Sequence, residues 1–467
     1  MVNHAVHYGA GVYGDPFKVP IIENLPPEWN VFVISRIKGE PVLRRKAQVT
    51  CLFDHEVFGR RISGQEVLDA ERWLGHPFSL IITYHDPKAL SRGGKKIREY
   101  SEDFARMVIA YRDFFTKNKI ELFTTTMERT YAEVVGYLVA KRLGIRMLNV
   151  GPGRLTNTYS VYAADFNPFM EDVPDSEVPA LMDSLHKSLT RKKEVLYPQI
   201  RDAVKDQYAV GISSLYGRLK GLIKYYPFYY SVHPSDRLRF LPPLELMWDF
   251  ILKGFRRLVI PSYYDKIDMD KEKFFLFPLH FTEDAQILYR EPFVEQFELI
   301  EKISKMLPED VFLYVKPHPH WLCVDVPLAR IAALKKLYNV KFIPANTNTY
   351  DLLSKTRAVI TINSSVGLEA VLENRPLITV GHDFYAKKDV SIVVRDLNDL
   401  PPILSAVLND ADYGMDKAKR EKFLSSFYKQ LIFIGGGVGF KETVLTDEDG
   451  KKIADAMKAA YEKYFKR

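Results

Sequence analysis

Two short apolar runs, each ending in a polar turn, constrain this chain more than any other feature. Val311 to Val315 is cut off by Lys316-Pro317-His318-Pro319-His320, and Ala358 to Ile362 runs into Asn363-Ser364-Ser365. Runs of this length, bounded by proline or polar turns, read as buried parallel strands. Asp351 to Lys355 supplies a helical turn between them. After Ser364, SVGLEAVLEN reads as a helix with Val366, Ala370 and either Leu368 or Val371 on one face, ended by Pro376 before a strand at Leu377 to Val380. The unit is β-α-β-α-β, and ligands of such open sheets gather at the carboxyl ends of the strands, where both polar turns fall. Asn363, Ser364 and Ser365 offer polar side chains and unpaired backbone N–H groups at the positive end of a helix, which suits a phosphate. Lys316 and His318 add cationic or donor groups from the adjacent turn, and Pro319 fixes the His318 turn. Taken singly, a Pro-His-Pro turn is also a rigid connection and Asn-Ser-Ser an ordinary N-cap. Their occurrence at successive strand ends is what points to a site. Glu369, one helical turn on, reads either as an acceptor for ribose hydroxyls or as a solvent-facing helix residue.

These residues carry a resemblance. KPHPH followed by TINSSVGLEAVLENRPLITVG resembles the carboxyl-terminal domain of the bacterial capsule and surface polysaccharide biosynthesis proteins, the family that includes the β-Kdo transferases of capsule assembly. Phe277-Pro278-Leu279-His280 with Asp284-Ala285 is similar to a Pro-Leu-His turn and acidic residue of the same group, and YAEVVGYLVAKRLGIRMLNVGPGR to its amino-terminal helix, strand and glycine-containing loop. The resemblance runs patchily over residues 120 to 395. The His-Pro and Ser-Ser pair is also similar to motifs of bacterial sialyltransferases and of the CDP-glycerol polymerases of teichoic acid synthesis, all of which expel CMP.

The resemblance implies a GT-B-like α/β fold: two Rossmann-like domains facing a central cleft, with a helical insert and C-terminal helices. It implies a glycosyltransferase that moves a Kdo-like sugar from a CMP-activated donor to a glycan or glycolipid acceptor, using protein groups in place of a metal. A CDP-alditol phosphotransferase shares the nucleotide product, and a non-catalytic nucleotide-sugar-binding component of an export complex would keep the phosphate site alone. In each case Lys316, His318, Pro319, Asn363, Ser364, Ser365, Glu369 and His280 are the expected donor residues, with His318 also a catalytic candidate.

The rest of the chain is consistent with two domains. At 467 residues it is too long for one ordinary core. Its 47% hydrophobic and 27% charged residues exclude disorder as the main description. A net charge of +7 admits anionic substrates or an anionic membrane surface, and no recognisable module argues for nucleic acid. Cys51 and Cys323 are the only cysteines, which suggests no disulfide framework and a reducing, cytoplasmic compartment. The beginning lacks the pattern of a signal peptide, and no run approaches the roughly 20 apolar residues of a membrane span.

Residues 1–160 read as an amino-terminal acceptor domain, with strands at Val31 to Ser35, Val49 to Phe53, Leu80 to Tyr84, Leu122 to Thr125 and Met147 to Val150. Helices are expected at Gly64 to Leu74, Ile97 to Lys117 and Tyr131 to Leu143. The glycine-rich Gly9 to Phe17 does not fit a dinucleotide fingerprint. A general base for the acceptor is sought at strand ends, where Glu128, Asp86 and Asp54 stand, Glu128 equally suiting the first turn of a helix. Gly151-Pro152-Gly153-Arg154 reads as a substrate-facing turn or a plain connection. Residues 161–270 read as a helical connecting region whose aromatic and basic stretch, 218–264, suits a membrane surface, a carbohydrate chain or simple interdomain packing. Residues 271–467 read as the nucleotide-sugar domain, starting with a strand at Phe274 to Phe277 and closing with helices at Leu400 to Leu408, Lys417 to Leu431 and Lys451 to Phe465.

Overall fold

A computed structural model describes residues 2–8, 18–35, 43, 47–85, 94–125, 131–155, 157–190, 212–231, 242–281, 284, 291, 294–318, 323–435 and 445–466. The chain divides into two compact units, one comprising Met1–Met170, Ile223–Pro242 and Gln430–Arg467, the other Glu171–Leu222 and Pro243–Lys429.

The first unit is built on strands β1 (Val2–Tyr8), β2 (Trp29–Ser35), β3 (Gln48–Cys51), β4 (Leu122–Thr124) and β5 (Arg146–Met147), all parallel, in the order β3-β2-β1-β4-β5. Helices on both faces bury β1 and β2 almost completely, which is why VNHAVHY and WNVFVIS carry apolar residues at successive positions. Helix Gly64–Leu74 is fixed at its start by a capping box between Ser63 and Glu66 and ends at Gly75, whose φ of 74° suits glycine.

One expected strand is a helix. Phe78–His85 is helical, with Phe78, Ile81 and Ile82 buried at the spacing of one helical face. A short apolar run is read equally well by either periodicity, and here packing against the helix Gly94–Lys117 decided it. The expected strand Met147 to Val150 is also divided. Met147 ends β5, whereas β6 (Asn149–Pro152) turns back on β7 (Thr158–Tyr162) as an antiparallel hairpin extended by Ile432–Phe433. Gly151-Pro152-Gly153-Arg154 therefore belongs to a hairpin rather than to a parallel strand end. A side chain at Gly153 would meet the Thr158 hydroxyl at 2.2 Å.

The second unit carries β8 (Lys273–Pro278), β9 (Val311–Lys316), β10 (Val340–Phe342), β11 (Val359–Thr361), β12 (Leu377–Thr379) and β13 (Ile392–Val393), again all parallel, in the order β10-β9-β8-β11-β12-β13. Both sheets thus follow the doubly wound order, with the reversal between the first and fourth strands. The helix Ser365–Leu372 buries Gly367 through Val371 in succession instead of a single stripe, since it lies against both β11 and β12.

The expected boundaries at 160 and 270 do not coincide with the compact units, and the terminal helix does not belong to the second sheet. Helix Asp447–Tyr464 packs on helix Lys18–Asn24 of the first unit. At Gly450 an added Cβ would stand 2.3 Å from the Pro20 carbonyl oxygen, so only glycine permits this approach. Ile453, Met457 and Tyr461 join Val6, Trp29 and Val31 in one core. Nor is 161–270 a separate region: helix Val178–Thr190 packs on Lys417–Lys429, fastened by Lys429–Glu177 at 2.8 Å and Lys422–Asp175 at 3.0 Å.

Candidate functional site at the carboxyl edge of the second sheet

Because all six strands of the second sheet are parallel, their carboxyl ends lie on one edge. β8 delivers Pro278-Leu279-His280 to it, β9 delivers Lys316-Pro317-His318, β11 delivers Asn363 and Ser364, and β12 delivers Gly381 and His382.

His280 is buried and joins two of these turns. Its Nδ1 lies 2.8 Å from Asp284, its backbone N–H donates to the Gln296 side chain at 3.1 Å, and Gln296 donates back to the His280 carbonyl. Its Nε2 accepts the Asn363 backbone N–H at 3.4 Å, which makes Nδ1 the protonated nitrogen facing Asp284. The contact spans β8 and β11, the strands between which the order reverses. His280 is thus a bridge between the Pro-Leu-His turn and the Asn-Ser-Ser turn.

Asn363 and Ser364 are held from several sides. The Asn363 amide donates to Glu291 at 3.4 Å. Ser364 is the N-cap of Ser365–Leu372, its hydroxyl accepting the Val366 N–H at 3.3 Å, and its own N–H donates to the Thr361 hydroxyl at 3.1 Å. The Tyr385 hydroxyl donates to the Ser364 carbonyl at 2.6 Å. Two glycines allow this closeness: a Cβ at Gly367 would lie 2.6 Å from the Tyr385 ring, and one at Gly381 would lie 2.3 Å from Asn363 Oδ1. Ser365 begins the helix and is partly exposed.

Lys316 and Glu369 form the charged interior of the edge. Lys316 is 5% exposed and donates to the Ala345 carbonyl at 3.0 Å. Burial lowers its ammonium pKa to about 8, against the pull of Glu369. Glu369 is 6% exposed, so the solvent-facing alternative is corrected. Burial pushes its carboxyl up to about 7, with Lys316 opposing and Glu373 adding to the shift. The Tyr350 hydroxyl is pushed upward by burial and by Glu369 and Glu373. His318 is half-buried and stands edge-on to the Phe281 ring, with centroids 5.7 Å apart.

Pro319, Glu128 and Asp86 lie outside the described residues, as do Gly9 to Phe17. Asp54 is exposed in a short helical turn after β3, while His55 accepts the Val57 N–H and lies 3.6 Å from Asp113. Two residues not singled out in the sequence belong to the site. Glu291 accepts both the backbone N–H and Nδ1–H of His382, at 2.6 and 2.7 Å, as well as the Asn363 amide. The signal for His382 was Val380-Gly381-His382 directly after an apolar strand, the pattern already noted at Lys316-Pro317-His318. A separate depression of about 860 Å³, lined by Lys388, Asp389, Ile392, Tyr413 and Asp416 among others, contains none of these residues. Among the described residues no three His, Cys, Asp or Glu side chains converge as metal ligands, and no helix is long and apolar enough to cross a membrane.

Residues 263–392 match the family of capsule polysaccharide biosynthesis proteins. Protein FixF of Sinorhizobium fredii is 27% identical over 166 residues, 35% of this chain and 39% of that protein. The capsule polysaccharide export protein KpsS of Escherichia coli is 25% identical over 148 residues, 30% of this chain and 37% of that one. The matches therefore span less than two fifths of the length of these curated relatives. Among solved structures, the Thermosulfurimonas dismutans KpsC β-Kdo 2,4 transferase aligns over 72% of this chain and 87% of its own, with 14% identity and a TM-score of 0.33. The Methanocaldococcus jannaschii UDP-GlcNAc 2-epimerase aligns over 91% and 98%, with 12% identity and a TM-score of 0.28. The α/β assignment rests on the two parallel sheets themselves. The segment from residue 263 to residue 392, which matches the family of capsule polysaccharide biosynthesis proteins, builds β8 to β12 and carries the strand-end cluster.

Proposed function

We propose that this chain is a glycosyltransferase of capsule or other surface polysaccharide biosynthesis, moving a Kdo-like sugar from a CMP-activated donor to a glycan or glycolipid acceptor. The observation that carries the reading is the convergence of His280, Lys316, Asn363, Ser364 and Glu369 at the carboxyl ends of β8, β9 and β11, inside the family-matched segment. The anomeric carbon–phosphate oxygen bond breaks and its electron pair leaves with CMP, while the acceptor oxygen bonds to the same carbon. Lys316, His318 and the N–H groups of Ser365–Leu372 offset the charge on the departing phosphate, so the reading needs no metal. A carboxylate, Glu128 or Asp86, takes the acceptor proton.

The test compares CMP, CDP, UDP and GDP by thermal shift, then follows CMP release from a CMP-activated acidic sugar. CMP stabilises the wild type selectively, and His318→Ala weakens that effect about tenfold. Equal responses to all four nucleotides, or none, overturn the reading. The name of the Escherichia coli relative favours a second reading, a non-catalytic nucleotide-sugar-binding component of export, which would bind CMP without releasing it from any donor. A CDP-alditol phosphotransferase would release CMP only from a CDP-alditol.

We place the acceptor at an anionic membrane face on the cytoplasmic side. Helix Pro243–Val259 has no buried residue and exposes Leu244, Met247, Trp248, Ile251, Phe255 and Leu258 along one stripe. Co-sedimentation with anionic vesicles that Trp248→Ser does not reduce would remove this part.

A further inference from the structure

We propose that Tyr385 is a positioning residue of the phosphate-binding turn: by holding the Ser364 carbonyl it aims the Ser365 N–H at the phosphate of a nucleotide. This rests on the reading of the second sheet as a nucleotide-donor site, and adds to it a residue from the turn after β12 that acts through Ser364.

Of the first three N–H groups of the Ser365–Leu372 helix, one is left for a ligand. Ser364 accepts the Val366 N–H on its side chain at 3.3 Å and the Gly367 N–H on its carbonyl at 2.9 Å. Neither the N–H nor the hydroxyl of Ser365 has a hydrogen-bond partner among the described residues, and Ser365 is partly exposed. A second feature of the same edge points to an anion. Lys316, 5% exposed at the end of β9, donates to the Ala345 carbonyl alone among the described residues, although an ammonium has three hydrogens to give. Glu369, 6% exposed on the Ser365–Leu372 helix, attracts this ammonium and accepts no hydrogen bond from a described side chain.

Tyr385 decides where the Ser365 N–H points. Its hydroxyl donates to the Ser364 carbonyl at 2.6 Å, beside the Gly367 N–H. The Ser364 carbonyl and the Ser365 N–H belong to one rigid trans peptide unit and point in opposite directions, so a bond that fixes the first fixes the second. The extended Ser364 backbone, with φ −76° and ψ 146°, places this peptide at the junction of turn and helix, where no helical hydrogen bond holds the N–H side.

The surroundings of Tyr385 make it a fixed point. It is 1% exposed, and its own carbonyl accepts the Ser391 hydroxyl at 2.9 Å, which in turn lies 3.3 Å from the Thr379 hydroxyl at the end of β12. The preceding Phe384 stacks against Phe423 and Phe427 of helix Lys417–Lys429, with centroids 5.9 and 5.5 Å apart. The Tyr385 ring lies against Gly367, where an added Cβ would stand 2.6 Å from the ring and 2.7 Å from the hydroxyl. A larger residue at 367 would therefore push the ring off the helix and the hydroxyl away from the Ser364 carbonyl. Tyr385 thus ties the start of the phosphate-facing helix to β12 and to a packed neighbouring helix, so that the turn is set before a ligand arrives.

The experiment measures affinities for CMP and for cytidine, which lacks the phosphate, on the wild type, Tyr385→Phe, Gly367→Ala, Ser365→Pro and the double variant Tyr385→Phe/Ser365→Pro. Proline suits the first position of a helix and an extended residue before it, so Ser365→Pro removes the N–H and keeps the helix. Tyr385→Phe and Gly367→Ala each lose about fivefold in CMP affinity and nothing in cytidine affinity, Ser365→Pro loses about tenfold, and the double variant loses no more than Ser365→Pro. An unchanged CMP-to-cytidine ratio in Tyr385→Phe overturns the inference, as does an equal loss for both ligands, which would mark a role in the fold alone. Losses that multiply in the double variant overturn it too, because Tyr385 would then act by a route other than the Ser365 N–H. A wild type that does not prefer CMP over cytidine removes the nucleotide-site reading itself, and the inference with it.

Discussion

The two sheets reverse their strand order at equivalent places, and the polar groups there are arranged in opposite ways. Between β1 and β4, His7, Lys18, Thr125 and Glu133 are all 0 to 2% exposed. Lys18 donates to the His7 carbonyl at 2.7 Å, Glu133 accepts the Thr125 hydroxyl at 3.0 Å, and the Glu133 carboxylate lies 3.4 Å from His7 Nδ1 and 3.9 Å from Lys18. These side chains gather around the Glu133 carboxylate and the His7 carbonyl. Between β8 and β11 the polar chain instead runs outward, from buried His280 and Asn363 through Glu291 to exposed His382. The same topology thus supports a buried brace in one unit and, in the other, an edge whose polar chain reaches an exposed histidine. Strand order decides where polar groups can gather; side-chain partners decide whether they hold the fold or meet a ligand.

The largest effect expected from this contrast is in the first unit. Glu133→Ala leaves Lys18 buried without its carboxylate, which costs about 3–5 kcal/mol. Urea unfolding at neutral pH measures it, and a loss below about 1 kcal/mol would show that the cluster is not a brace. His382→Gln in the second unit, at an exposed position, changes unfolding by less than about 0.5 kcal/mol.

The next effect is a dependence on pH. Glu369 has its pKa raised from 4.5 to about 7, chiefly by burial. Below pH 4.5 it is protonated in the folded and unfolded chain alike and its contribution to stability is fully present. As pH rises toward 7 the unfolded chain ionises first and that contribution is lost, a change on the order of 3 kcal/mol. Lys316, with its pKa lowered from 10.5 to about 8, acts in a different window. Its contribution is whole above pH 10.5 and is lost as pH falls toward 8. Glu369→Gln should therefore flatten the stability profile between pH 4.5 and 7 and leave the alkaline limb. A wild-type slope in the variant would separate Glu369 from the buried charges of this edge.

The smallest effect concerns the approach of β12 to β11. Gly381→Ala must displace the Asn363 side chain and the Ile362 carbonyl, at a cost of about 1–3 kcal/mol. CMP affinity should fall with it, because a displaced Asn363 loses its hold on Glu291 and His280. Glu133 variants that remain folded should leave the same ligand assay unchanged, since the brace of the first unit shares no residue with this edge. Equal losses of CMP affinity in both variants would erase the distinction between brace and edge.

Much of this was legible in the amino-acid sequence because it is local. Apolar runs of strand length, alternating with helical periods, specified parallel sheets, and proline or polar turns marked the strand ends at Lys316 and Asn363. Ser364 as an N-cap follows from its place before an apolar helical pattern. Tertiary structure decided what local pattern leaves open. Phe78–His85 became a helix because a neighbouring helix covers its face, and Asp447–Tyr464 joined the first unit because Gly450 admits Pro20. Glu369 turned inward because its helix is covered by two strands. Glu291 stands 72 residues before Asn363 and 91 before His382, and the three meet only because β11 and β12 are neighbours in the sheet. Hydrophobic period is a property of a short window of sequence, whereas a hydrogen-bonded network across strand ends depends on the order in which distant strands pair.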